Sequence, residues 1–259
     1  MDDPFDSPYQ MLAWSEHHFK ILHANIAKWS ESARREQFVE NEPITGNMLH
    51  KIRIYDPIPW YVPLIAFDCI NSQRAALDLV IYAASVRLKT KEPKSTKFPF
   101  GSDFTNARNR ALPKGSDAIE EIIDKALDFK PYEKDGDPVL YGLNQIRNIK
   151  HHRFLAPAAA TASTIIEGDI VINDSNVGID SRQFWVPGLN ELTFMTTGKL
   201  LKEVKITTRL TLAIADGMPL QGQPILSLLN DTGGKVAKIL DAIKAEAERM
   251  AIERGIGDQ

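Results

Sequence analysis

Cysteine is nearly absent from this sequence. The chain of 259 residues contains a single cysteine, Cys69, so an internal disulfide is excluded. Cys69 stands in an apolar run, residues 65–70 (IAFDCI), which predicts a buried thiol. Such cysteine usage is typical of proteins in a reducing compartment, and we therefore expect a cytoplasmic protein.

Long hydrophobic runs and an excess of one charge are also absent. No stretch approaches the roughly 18 apolar residues that a membrane span requires, and the acidic start MDDPFDSPYQ lacks the pattern of a signal peptide. The formal net charge is -3 and the sequence pI is about 6.1, so the chain as a whole has no electrostatic pull toward nucleic acid or acidic lipid. We expect no membrane partner, and a polyanion would have to be met by a local patch.

The familiar catalytic motifs are missing as well. The sequence has no P-loop, no GxGxxG, no GxSxG elbow and no HExxH, which removes the usual support for nucleotide hydrolysis, dehydrogenase and hydrolase chemistry. No Cys or paired carboxylate completes a metal site around His17, His18 and His23. We expect no cofactor and no bound metal.

Apolar residues recur at helical spacing in four segments of the first 152 residues. The predicted helices cover residues 8–32, about 60–88, 116–129 and 138–152. Residues 50–57 alternate Ile52 and Ile54 with polar residues, which predicts a short strand. The lysine-rich, proline-broken stretch that follows the second helix is expected to be a loop. Four helices in this span predict a bundle.

The pattern changes after residue 154. TIIEGDIVIND contains two β-branched runs across Gly168-Asp169, which predicts a hairpin, and residues 204–214 alternate apolar and polar side chains as a half-buried strand does. Apolar spacing from Val236 to Met250 predicts a C-terminal helix, with Gly233-Gly234 as a break before it. The predicted fold is α+β: a helical bundle over 1–154, an antiparallel sheet over 155–215 and a C-terminal helix within 216–259, packed as one continuous domain.

One short motif carries chemistry. RNIKHH places Arg147 and Asn148 five and four residues before His152, and it resembles the RNxxxH form found in the HEPN superfamily of metal-independent ribonucleases. That resemblance implies a four-helix HEPN-like bundle and an endoribonuclease of the defence or toxin kind, acting as a homodimer on RNA. It implies that Arg147 stabilises the phosphate, His152 acts as acid or base and Asn148 positions the substrate or the histidine. A neutralising protein partner, or antitoxin, is left open.

A second resemblance covers residues 60–157. FDCINSQRAALDLVIYAAS, FPF, KPY and NIKHHRFL occur in this order and are similar to segments of an uncharacterised bacterial family with patterns close to GDxxHNLRSALDHL, FP, PY and NxDKHR. The chain departs from that family at Lys150 and His151, where the pattern has Asp and Lys. This resemblance implies a helical bundle with a sheet, and it indicates nothing about activity. The residues that match the first and last segments are Asp68, Asn71, Arg74, Leu77, Asp78, Asn148, His152 and Arg153.

These matched polar residues predict a network. A buried arginine needs a partner, and Asp78 lies four residues after Arg74 on one helix face. Asp68, Asn71, His151 and Arg153 are expected to belong to the same network, either as structural ties between two helices or as the lining of a cleft. On a straight helix Arg147 lies about 40° from His151 but about 140° from His152, so convergence with His152 requires the helix to end or a second subunit to contribute.

The sequence leaves two hypotheses about the function open. The first is the ribonuclease, for which the basic loop residues Arg87, Lys89, Lys91, Lys94 and Lys97 would contact phosphates. The second is a non-catalytic binding or protein-interaction module, in which the same polar residues only hold helices together.

Overall fold

The computed structural model of the chain describes residues 3–41, 48–90, 94, 96–101, 103–112, 115–128, 136–152, 161–166, 178–186, 191–197, 208–214 and 217–257. The fold is α+β, with a large helical content and antiparallel strands. None of the helices in these ranges combines the length and the hydropathy of a membrane-spanning helix.

The helices follow the apolar spacing closely. The described part of the chain contains α1 (Asp6–Ser32), α2 (Val62–Arg87), α3 (Phe104–Ala111), α4 (Asp117–Ala126), α5 (Pro138–His152) and α6 (Ile225–Glu253). Four of them, α1, α2, α4 and α5, match predicted segments within a few residues, and α6 contains the predicted C-terminal helix but begins earlier, at Ile225. The exception is α3, which lies at the end of the predicted loop. It is short and polar, and its start is fixed by Asp103, whose side chain accepts a hydrogen bond from the Asn106 N–H at 2.8 Å.

The prediction that Gly233-Gly234 breaks the chain before the C-terminal helix is wrong. Helix α6 runs through both glycines from Ile225 to Glu253. A Cβ atom at Gly233 would stand 3.3 Å from Nε2 of Gln73, a buried side chain of α2. The glycine therefore serves close packing between two helices and does not end one.

The strands form two antiparallel sheets. β1 (Arg35–Asn41), β2 (Met48–Ile54), β5 (Glu191–Thr197) and β4 (Gly178–Val186) lie side by side in the order β1-β2-β5-β4. β3 (Thr161–Ile166) pairs with β6 (Thr208–Ala213). The short strand predicted within residues 50–57 is confirmed, since β2 covers Met48–Ile54. Its alternating residues Ile52 and Ile54 are buried. The predicted hairpin at Gly168-Asp169 lies outside the described residues, and the described partner of β3 is β6.

A buried carboxylate ties the four-stranded sheet together. Glu191 is opposite Arg53 in the β2–β5 register and accepts a hydrogen bond from its guanidinium at 2.9 Å, while Lys51 Nζ lies 3.4 Å away. Burial alone would raise the pKa of Glu191, but the hydrogen bond from Arg53 and the charge of Lys51 outweigh it and hold this pKa below its usual value. The cross-strand pair therefore stays ionised.

The chain divides into two compact units, and each is assembled from separated segments. Unit 1 comprises Met1–Ile21, Leu64–Leu155 and Leu226–Gln259, and unit 2 comprises Leu22–Pro63 and Ala156–Ile225. This division differs from the predicted boundaries at residues 154 and 215, because β2 pairs with β5, which follows much later in the chain, and β1 joins the same sheet through β2. The core of unit 1 is formed by side chains of α2, α4, α5 and α6 together with Phe5.

Candidate functional site

Helix α5 positions the residues of the RNIKHH motif. Asp137 precedes it, and its carboxylate accepts hydrogen bonds from the Val139 and Leu140 N–H groups at 3.1 and 2.9 Å, which caps the helix start. Leu140, Leu143 and Ile146 are buried and fix one side of α5 against unit 1. Arg147 follows directly after this apolar stripe and is half-buried.

Arg74 of α2 is the buried charge that faces α5. Its side chain is 8% exposed, and its guanidinium forms the predicted ion pair with Asp78. Arg74 Nε donates a hydrogen bond to Oδ1 of Asn144 at 3.1 Å, and the guanidinium carbon lies 4.4 Å from the centre of the Phe100 ring. The FPF segment joins the same cluster, since the Phe98 N–H donates to Asp78 Oδ1 at 2.9 Å.

The surroundings of Arg74 act on the pKa of its guanidinium in opposite directions. Burial lowers the pKa of the Arg74 guanidinium, the ion pair and hydrogen bond with Asp78 oppose that effect, and the positive charge of Arg147 lowers the pKa further. The charges of Asp78 and Arg147 therefore act on Arg74 in opposite directions.

Arg147 itself has no acidic partner in the part of the chain that the structure describes. A half-buried guanidinium without a carboxylate partner is suited to bind an anion. Asn148 is exposed beside it on α5. These two residues, with Asn144 three positions before Arg147, form one polar stripe on α5, because residues three or four apart are neighbours on a helix. We refer to Asn144, Arg147 and Asn148 as the α5 polar stripe.

The remaining predicted network residues are placed as follows. Asp68 is exposed and Asn71 is half-buried. Among the described residues, neither the Asp68 carboxylate nor the Asn71 amide forms a hydrogen bond with Arg74. His151 and His152 are the last two residues of α5, and their side chains lie outside the described part, as does Arg153. The structure thus joins Arg74 and Asp78 to Asn144 of the α5 polar stripe.

The predicted phosphate contacts divide into two groups. Arg87 forms an ion pair with Glu248 at 2.8 Å and donates to the Ile256 carbonyl at 3.2 Å, so it is used inside unit 1. Lys89, Lys94 and Lys97 are exposed, and Lys91 lies outside the described residues. The structure places none of these three exposed lysines in contact with the α5 polar stripe.

Asn144 belongs to the candidate site in the structure but was not predicted from the sequence. No motif contains it, and an asparagine within an apolar-periodic helix is unremarkable by itself. Its spacing of three and four residues from Arg147 and Asn148 could have shown that it shares their helix face. Its contact with Arg74, seventy positions earlier, could not have been found in this way.

A separate concave region lies in unit 1. A cleft of about 880 Å³ is bordered by the end of α4, the start of α5 and one side of α6. Lys235 of α6 forms an ion pair with Asp137 at its edge, at 2.5 Å. The residues that line this cleft include none of the predicted site residues. Within the described ranges, no group of three or more His, Cys, Asp or Glu has metal-binding geometry.

Comparison of the chain with protein-family models, with curated proteins and with solved structures gives no significant match.

Proposed function

We propose that the protein is a metal-independent endoribonuclease of the HEPN-like kind, with unit 1 as its helical bundle. One observation carries the proposal: Arg147 is half-buried on α5 and has no carboxylate partner among the described residues, while its positive charge acts on the buried Arg74. An arginine in such surroundings favours an anionic ligand, and the phosphodiester of RNA supplies one negative charge with oxygens suited to a guanidinium.

The proposed reaction is a transesterification. The ribose 2′-oxygen attacks the neighbouring phosphorus, its proton passes to a base, and the bond from phosphorus to the 5′-oxygen breaks as an acid protonates the leaving oxygen. The products are a 2′,3′-cyclic phosphate and a 5′-hydroxyl. His152 is the proposed acid or base, Arg147 stabilises the charge of the pentavalent phosphorus, and Asn148 positions the substrate. A homodimer is proposed to complete the cleft.

A second candidate function rests on a different observation. Arg74 is buried and contacts Asp78, Asn144 and the Phe100 ring, which is the pattern of a structural tie between helices. In this alternative the chain is a non-catalytic binding or protein-interaction module, and Arg147 contacts an acidic partner protein.

The test is cleavage of a mixed RNA pool by the purified protein in EDTA, with analysis of the fragment ends. We expect 2′,3′-cyclic phosphate ends for the wild type and a loss of activity on the order of 100-fold in Arg147→Ala and His152→Ala. Arg110→Ala is the matched control, because Arg110 is an exposed arginine of α3 in the same unit.

The variants must keep the wild-type melting temperature for the comparison to be valid. Absence of cleavage by folded wild-type protein, or cleavage that survives in both variants, would favour the binding module instead.

A further inference from the structure

The hydrogen bond between Arg74 and Asn144 fixes the direction of the Asn144 amide. Arg74 Nε is a donor only, so the atom that it contacts at 3.1 Å must be the carbonyl oxygen Oδ1. Arg74 cannot turn away, because it is 8% exposed and is also held by Asp78 and the Phe100 ring. The Asn144 NH₂ group is therefore at the opposite end of the amide from Arg74.

The Asn144 NH₂ group has no acceptor among the residues that the structure describes. Asn144 is half-buried, and Arg147 lies one helical turn further along the same face of α5. The stripe therefore carries two kinds of donor one helical turn apart, an amide NH₂ and a guanidinium, while Arg74 and Asp78 form an ion pair with each other. Among the described residues of this cluster, the positive charge of Arg147 remains for a ligand.

We infer that Asn144 is a further ligand-binding residue, whose NH₂ group donates a hydrogen bond to a phosphate oxygen held by Arg147. This inference rests on the proposed function, and it adds a binding residue that the RNIKHH motif does not include. Preoriented neutral donors beside a cation are effective at stabilising oxyanions, because they need no rearrangement when the charge arrives. Arg74 is then a positioning residue, since it acts only through the orientation of Asn144.

The substitution Asn144→Asp separates this role from a structural one. Aspartate keeps the acceptor oxygen for Arg74 Nε, so the contact between α2 and α5 is retained or strengthened, whereas both amide donors are lost. Asn144→Ala removes the donors without adding a charge. Gln145→Glu is the control, because it makes the same change of charge at the next position, about 100° around the helix.

The experiment measures the Kd for inorganic phosphate by titration calorimetry at constant ionic strength, together with the melting temperature of each protein. We expect wild-type protein and Gln145→Glu to bind phosphate with similar Kd, and both Asn144 variants to bind on the order of 10-fold or more weakly. Asn144→Asp is expected to keep the wild-type melting temperature.

Three outcomes would overturn the inference: no phosphate binding by the wild type, unchanged binding in either Asn144 variant, or equal weakening in Gln145→Glu. The result is separate from that of the RNA assay. Phosphate binding that depends on Asn144 without RNA cleavage would reject the nuclease and keep the anion site. RNA cleavage with no role for Asn144 would reject only the inference.

Discussion

Arg74 shows how one buried side chain connects three parts of unit 1. Its guanidinium joins Asp78 on its own helix, Asn144 on α5 and the Phe100 ring in the segment before α3. A buried guanidinium is tolerated only when its charge and its N–H groups find partners. Asp78 has two roles here. It neutralises the charge of Arg74, and it accepts the hydrogen bond from the Phe98 N–H.

Asp78→Ala is expected to lower the free energy of unfolding by about 3–5 kcal/mol, because it leaves the buried Arg74 charge and the Phe98 N–H without an acceptor. Urea denaturation followed by circular dichroism measures this. Asp68→Ala is the matched control on the same helix, where the side chain is exposed, and we expect a change within about 0.5 kcal/mol. Equal effects of the two substitutions would show that the Arg74 cluster does not stabilise the fold.

At the scale of the elements, α6 illustrates how neighbouring glycines can have different roles. Gly233 faces Gln73, whose amide donates to the Leu229 carbonyl at 2.9 Å and accepts from the Thr232 hydroxyl at 2.8 Å. Gln73 is therefore held at both ends and cannot move easily from an added Cβ. Gly234 has no heavy atom within 4 Å of the position that a Cβ would take.

Gly234→Ala is expected to raise the free energy of unfolding by about 0.5–1 kcal/mol, because alanine reduces the entropy of the unfolded chain and favours the helix. Gly233→Ala gains the same helix propensity, but the added Cβ would crowd the Gln73 side chain, which opposes that gain. We therefore expect this variant to be at least about 1 kcal/mol less stable than Gly234→Ala. Thermal denaturation of the two variants in parallel checks the order. Equal stabilisation by both would mean that α2 and α6 are not packed closely at Gly233.

At the scale of the whole molecule, unit 1 depends on segments from both ends of the sequence. Phe5 is fully buried in its core. The Tyr9 hydroxyl donates to Asp241 Oδ1 at 2.6 Å, and Lys244 Nζ lies 2.8 Å from Asp3 Oδ2. The first residues of the chain therefore close the core against α6.

Phe5→Ala is expected to lower the free energy of unfolding by about 3–5 kcal/mol, because it leaves a cavity in the core that other side chains cannot refill. Trp14→Ala is a matched control, since Trp14 is an aromatic residue of α1 that is 52% exposed, and surface substitutions usually change stability little. Chemical denaturation of both variants provides the comparison. A small effect of Phe5→Ala would mean that the N-terminal segment is not part of the cooperative core.

Much of the helical framework was predictable, but only part of the site was. Arg147 and Asn148 could be proposed because their motif is contiguous, and this role stays a prediction. The Arg74–Asp78 pair was predicted because an i,i+4 spacing on a helix is a local property, and the structure contains it. Asn144 and Phe100 were not given roles, because these depend on which segments of the chain meet Arg74. Helix α3 was missed since its polar sequence carries little apolar periodicity.

The sequence by itself determined where α1, α2, α5 and most of α4 form, that Ile52 and Ile54 would share a buried face, and that Cys69 would be buried. These properties follow from periodicity and composition within a few turns of chain. The tertiary structure alone decided that β2 pairs with β5, that α6 passes through Gly233, and that Arg74 orients Asn144. Each of these joins residues far apart in sequence, and such contacts are selected by the packing of the whole unit rather than by any local pattern.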